Sequence, residues 1–568
     1  SDRLRFTNTR FFNCGAAGCL VSASTKNVFF TACDFESNSV TAGAGVEHGM
    51  SIAAGMQGLV VNSCKFGNGL YTGQQGYGLF IDTGADKFSI SNNVFDGNLT
   101  GSISDNATTA TDKNFSSNVG HVDPSSDVTL TNVAAIRARY RNGATNITTD
   151  GYYTAGDGGH ARYRYDSTDT TTADNGFTVI VGADGARWKL LSEDGEVNVK
   201  SFGAVGDGVT DDSVAIQAAL NSGTLSVVIP DGTFLCDNLL MPATFGFVLR
   251  GNGVSSRLKQ KSSANPLIRW STASINYTEG YIKDLAFIGT NGGNNTINTA
   301  GVGGLTLQNL YFTDVPTGYS SVYVNGAAAT YVHDTRLKNI QIYSNLAGSA
   351  GIRFGALVAD TTLDGFIMNG GFTTDYCLLF DSGAVTVRVN NSHPYNAKIN
   401  VMKMSGSNTN CGFTGVTFDN ALSDIIHITS GSLNIFSNCH IQAVKSGYSG
   451  VILVNSSNNT LSNTMFDGAV GSLSCAVETG TSNGNIIVGG NINLAINFAT
   501  PFSLIGAGSY AKGLNGYADF GLMYSFTGCT STAQAQNTTQ FLGANGGQAA
   551  IDNTAFLVPH STLVKTAY

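Results

Sequence analysis

Charge is scarce in this chain. Only 12% of its 568 residues are Asp, Glu, Lys or Arg, and the net charge is −9 with the cations dispersed. That excludes the clustered basic footprint of a nucleic-acid binder. Apolar runs never approach the ~20 residues of a membrane-spanning helix, and no signal peptide is visible. Ten cysteines form no CxxC pair. Buried free thiols are the expected reading, and no metal site or cofactor is predicted. HExxH, P-loop, GxSxG and EF-hand patterns are also missing, so metalloprotease, nucleotide and serine-hydrolase chemistry have no footing. Glutamate occurs only six times.

What the chain does have is glycine, 70 of them, abundant Ser, Thr and Asn, and a repeat. The unit beginning Leu4-Arg5-Phe6-Thr7-Asn8 recurs from Val28, Leu59, Phe88, Leu305, Thr335, Thr361, Val387, Cys411, Asn434, Asn459 and Asn485. Its third residue is apolar throughout, Phe6, Phe30, Val61 and Ile90 in the first block, and should point inward. The fifth is always small or Asn, from Asn8 to Gly489, which predicts a sharp left-handed bend between two strands. The eighth returns to the core, except that Pro394 breaks the pattern and predicts a distorted rung.

Spacings of 23 to 31 residues are too short for a propeller blade and lack the helix of other repeat folds. They fit one turn of a parallel β-helix, whose rungs stack at roughly 4.8 Å and turn equal offsets into ladders. One such ladder, Arg10, Asp34 and Lys65, should pair charges of alternating sign along the outside.

The pattern divides the chain into the end of a first β-helix (1–125), a linker with a small β module (126–196), a main β-helix with a capping helix (197–510) and the start of a β-sandwich (511–568). Asp157-Gly158-Gly159 and Asp184-Gly185 mark tight turns of the module. Thr210 is expected to cap a short helix carrying Asp211 and Asp212 in its first turn. A beginning inside a rung and an apolar stretch, Ala555-Phe556-Leu557-Val558, near the end suggest a piece of a longer or processed polypeptide.

The stretch from Val199-Lys200-Ser201-Phe202-Gly203-Ala204-Val205-Gly206-Asp207-Gly208 to Leu220 resembles the opening of the pectate-lyase-like β-helix superfamily as found in bacteriophage tailspikes and capsule depolymerases. Gly151-Tyr152-Tyr153 through Arg187-Trp188-Lys189-Leu190 is similar to the small module that often precedes that helix in phage proteins. The resemblance implies an all-β, right-handed parallel β-helix. It also implies a homotrimer joined to the phage tail or baseplate through a missing N-terminal part, acting outside the host cell on its surface polysaccharide. The extra block of rungs ahead of the module departs from the common pattern.

Hydrolysis of a glycan by the usual route needs two carboxylates about 5 Å apart for retention, or roughly 6.5 to 9.5 Å for inversion. Asp334 and Asp360 each precede the first residue of adjacent rungs, 26 residues apart. Stacked, they would raise one another's pKa as a general acid requires. His333 stands beside them, although strand neighbours point to opposite faces. A second group spans Asp364, Asp375, Asp381 and His393, with Tyr376 and Tyr395 suited to sugar faces. Glu47 sits in the 31-residue interval between two rungs, long enough for a projecting loop. Asp is also a common turn former, so each carboxylate has a purely structural reading beside the catalytic one. Glu478 invites the same question. The expected function is hydrolytic depolymerisation of a bacterial surface glycan. The alternatives are a polysaccharide lyase of the same fold and a non-enzymatic receptor-binding or spacer protein.

Overall fold

The computed structural model describes residues 3–515, except 24, 40–46, 68–74, 108–109, 122–126, 140, 142–143, 193, 262–263, 272–275, 290–292, 327–331 and 494–496. The chain forms two compact units, Ser1–Val205 and Gly206–Tyr568. The architecture is all-β, and each β-helical block is a parallel coil with three walls.

In the first unit, the first wall stacks Leu4–Thr7, Lys26–Thr31, Gln57–Asn62, Asp86–Ser91 and Lys113–Ser116. The fifth strand adds a rung beyond the four that the repeat marks, because Phe115 pairs with Ile90 and continues the core column. Phe6, Phe30, Val61 and Ile90 are register partners, as their shared offset requires. In the second wall the rings of Phe11, Phe35, Phe66 and Phe95 stack with centroids 4.7, 4.7 and 4.9 Å apart. That is the rung spacing itself, so each ring buries its faces against copies of itself.

The charged ladder needs correction. Arg10, Asp34 and Lys65 do align, but the partner of both cations is Glu36, whose oxygens lie 3.0 Å from the Arg10 Nε and 3.7 Å from the Lys65 Nζ. Glu36 lies on the same strand face two residues on, and its extra methylene lets one carboxylate reach both neighbours.

The small module is a five-stranded sheet of Asp127–Leu130, Asn146–Thr149, Ala161–Asp166, Val179–Val181 and Arg187–Leu191. It also holds a short helix that the sequence pattern does not announce, Val133–Arg137, capped by the Asn132 side chain. Trp188 and Tyr163 fill the core. The Asp157 carboxylate gathers the N–H groups of Tyr152, Tyr153, Thr154 and Gly159, which makes the Asp-Gly-Gly turn.

In the second unit, strands such as Thr306–Thr313 and Arg336–Tyr343 form the first and second walls together, bent at the fifth position. All twelve fifth-position residues have φ between 49° and 71°. Left-handed backbone costs most L-residues ~1–2 kcal/mol, which is why Asn and Gly hold most of these corners. The third wall is an 11-stranded sheet from Leu239–Leu240 to Phe502–Ser503. Tyr510–Lys512 still pairs in the first wall, and the expected sandwich beyond it lies outside the described residues.

Three expectations change here. The helix begins at Ser213 and ends at Leu220, with Asp212 at its N-cap position. Thr210 is drawn instead into a turn, since Asp207 accepts its N–H at 2.7 Å and its hydroxyl at 2.8 Å. Pro394 is buried and in register with Met368, so its rung keeps its inward column. Glu478 is 2% exposed and accepts from Asn485, Ser509 and the Gly506 N–H at 2.6, 2.6 and 2.8 Å. It terminates a buried ladder in which Asn434, Asn459 and Asn485 donate each to the next at 3.0 and 2.9 Å.

Replacing Asn459 by Leu strands the backbone N–H of Asn434 and takes one of two donors from the Gly431 carbonyl and from the Asn485 oxygen. A loss of about 1–3 kcal/mol is expected in urea unfolding, the cost of one buried orphan. Burial holds the His121 imidazole at about 4, while the unfolded chain titrates near ~6.5. The unfolded state therefore takes up a proton first, and stability drops as pH falls from ~6.5 to ~4. The melting temperature of His121→Phe should fall less steeply over that window.

Candidate active site on the outer face of the second wall

The sequence-derived candidates separate onto different faces. Asp334 and Asp360 occupy equivalent corners of adjacent rungs, with φ of 58° and 48°. Thr386 holds the next such corner, at 52°, so the position selects for left-handed backbone and Asp tolerates it. His333 reaches the next rung, its Nδ1 lying 3.3 Å from the Asp360 Oδ2. The Thr386 hydroxyl, and then His333, hold the Asp360 carboxyl below the ordinary carboxylate range. A general acid needs the opposite shift.

Asp364 lies on the first wall and accepts from the Asn391 amide at 3.0 Å. On the third wall Asp375 faces Lys398 at 3.3 Å and Asp381 faces Arg353 at 2.9 Å. Tyr376 lies under Lys403 on that wall, the Nζ 5.4 Å from the ring centre. Glu47 is half-buried in the first unit, its N–H donating to the Ser39 hydroxyl. The loop expected beside it, 40–46, lies outside the described residues.

His393 and Tyr395 do come together, on the outer face of the second wall, with ring centres 5.0 Å apart. Alternation along the strand turns the seventh and ninth residues of every rung outward there. The ninth positions place Tyr343, Asn369, Tyr395, Asp419 and Gln442 in one continuous register. Asp467 follows Phe466, which pairs with Ile441 just before an irregularity in that ladder, and lies on the next rung of the same wall. The seventh positions add His393 and His440 beside this column.

Asp419 is the centre of this face, its Oδ2 lying 3.5 Å from the His393 Nε2. Burial lowers the His440 pKa, while Asp467 and then Asp419 pull it back up. Its Nε2 is buried without a hydrogen-bond partner. Burial raises the Tyr395 hydroxyl, helped by Tyr343 and Asp419. Two rungs separate Asp419 from Asp467, roughly 9.6 Å at the backbone from the spacing of adjacent strands. That backbone spacing lies at the upper end of the roughly 6.5 to 9.5 Å that separates the carboxyl groups of inverting glycosidases.

Asp419, Asp467, His440 and Tyr343 are not among the sequence-derived candidates. Their signal lies in the outward seventh and ninth positions of the repeat, where His440 is seventh and Tyr343, Asp419 and Asp467 are ninth once the offsets are aligned.

Comparison with known proteins adds two domain assignments. Residues 129–193 match a phage tail protein small four-stranded beta-sheet domain. Residues 196–346 match a rhamnogalacturonase A/epimerase, pectate lyase-like family. A curated relative, depolymerase 1 of Klebsiella phage K5-2, capsule K30/K69-specific, is 35% identical over 71 residues, which cover 12% of this chain and 9% of the relative. The chain thus spans about a tenth of that protein. Solved structures include a tailspike protein from Acinetobacter baumannii bacteriophage Fri1, a capsular polysaccharide depolymerase, with TM-score 0.47, 16% identity and coverage of 68% of this chain and 76% of that one. Another is the A-module of a mannuronan C-5 epimerase from Azotobacter vinelandii, with TM-score 0.43, 14% identity and coverage of 56% and 100%. The module at 129–193 is thus similar to a phage tail domain, and the first part of the coil that follows it, to residue 346, is similar to a pectate-lyase-like family.

Proposed function

We propose that the protein is a phage tailspike that binds and depolymerises a bacterial surface polysaccharide by hydrolysis on the outer face of the second wall. One observation carries the reading: successive rungs of one outward face carry Tyr343, Asn369, Tyr395, Asp419, Gln442 and Asp467, two tyrosines and then two carboxylates, each pair separated by an amide residue. A glycan lying along the coil axis would meet Tyr343 and Tyr395 as platforms and the two carboxylates one after the other. Asp419, beside His393, takes the base role and activates water. Asp467 takes the acid role and protonates the leaving oxygen. His440, coupled to both, orients them. The phage-tail module supports a location on the virion tail with action at the host surface. A homotrimer attached to the tail or baseplate is part of the same proposal.

Asp419→Asn and Asp467→Asn should each slow cleavage by about 10²- to 10⁴-fold, measured on polysaccharides from a panel of encapsulated bacteria, with melting temperature unchanged. The double variant Asp334→Asn/Asp360→Asn should retain cleavage. Full activity in either Asp419→Asn or Asp467→Asn would remove this face from the mechanism. Binding without any shortening would sink the enzyme reading, and shortening with new ultraviolet absorbance would replace hydrolysis by elimination.

A further inference from the structure

The third wall of the second unit carries a different chemistry on its outer face. Tyr323, Arg353, Leu379, Lys403 and His427 are register partners on successive rungs. The Arg353 guanidinium lies 4.8 Å from the Tyr323 ring centre, and the Lys403 ammonium lies 5.4 Å from the ring centre of Tyr376 and 3.4 Å from its hydroxyl. Two rungs apart, therefore, a cation rests on a half-buried tyrosine.

The charges around them are not equally committed. Arg353 is ion-paired with Asp381 at 2.9 Å, and Lys398 with Asp375 at 3.3 Å. The Asp424 carboxylate accepts the Ser449 N–H at 2.7 Å. Among the described residues Lys403 has no carboxylate within ion-pair distance. His427, its neighbour in the column, is held neutral-leaning by burial and then by the Lys403 charge.

We propose that this face is a second glycan-binding surface, distinct from the cleaving face, and that Lys403 and Tyr376 form on it a subsite for an acidic sugar. The ammonium and the tyrosine hydroxyl to which it donates can both hydrogen-bond one carboxylate, and the Tyr376 and Tyr323 rings, two rungs apart on the N-terminal side of Lys403, offer stacking area. A neutral His427 adds a donor and an acceptor without a competing negative charge. The two walls then divide the work: the second carries Asp419 and Asp467, and the third carries the Lys403 ammonium, which no carboxylate among the described residues pairs. The proposal rests on the polysaccharide-binding reading but uses none of its catalytic residues.

The test is affinity electrophoresis of the full chain carrying Asp419→Asn, which separates binding from degradation. Gels contain polygalacturonate, hyaluronate, or polygalacturonate fully methyl-esterified. An acidic polymer should retard the protein and the ester should not. Adding Lys403→Met should weaken retardation about tenfold, the loss of one hydrogen bond to a charged group, with Lys403→Arg restoring it. Absence of retardation by both acidic polymers, equal retardation by the ester, or indifference to Lys403→Met overturns the subsite. Those outcomes leave the cleavage proposal standing, whereas persistent cleavage in Asp419→Asn would fail that proposal and leave this one intact.

Discussion

The parallel ladder between successive rungs is the constraint on which everything else depends. Because strands stack in register at roughly 4.8 Å, a residue has as its neighbour the residue at the same offset one turn away. Inward offsets must then be mutually compatible in shape, and the stacked phenylalanines Phe11, Phe35, Phe66 and Phe95 are one solution. Corner offsets must tolerate left-handed backbone, which explains the run of Asn and Gly at the fifth position. Buried polar offsets must donate to one another, as Asn434, Asn459 and Asn485 do, and the column must end on an acceptor such as Glu478. The outward offsets are released from all of this, and there the sequence is free to carry chemistry.

That division explains which features are legible in the amino-acid sequence alone. Inward and corner positions repeat because physics repeats them, so the rungs, their register and the bends at Asn8, Asn309 and Asn463 can be read residue by residue. The fifth rung at Lys113–Ser116 is hidden because its eighth-position aromatic is missing. Thr210 misleads because a cap and an Asp-centred turn use the same residue types, and Asp207 is the stronger local partner. Asp334 and Asp360 follow from a sound argument about stacking. The left-handed corner backbone gives both a structural reason to be there, and the bonds from Thr386 and His333 give Asp360 a second one.

The candidate face shows the converse. Outward positions vary, so a search for repeating offsets passes over Tyr343, Asp419, His440 and Asp467. His393 and Tyr395 stand out by residue type, and the structure supplies their neighbours. A β-helix arranges side chains for a linear polymer as naturally as it arranges its core, since the repeat of the protein runs alongside the repeat of the ligand. On the proposed reading, carboxylates two rungs apart with an imidazole on the rung between them serve glycoside cleavage with no insertion or specialised loop.

The most direct test is a crystal structure of the Asp419→Asn protein with a bound oligosaccharide from a polymer that the native protein cleaves. Sugar rings stacked on Tyr343 and Tyr395, with a glycosidic oxygen within hydrogen-bond reach of Asp467, are the predicted result. An oligosaccharide running past the Asp334 and Asp360 corners, with the second wall bare, would contradict the account.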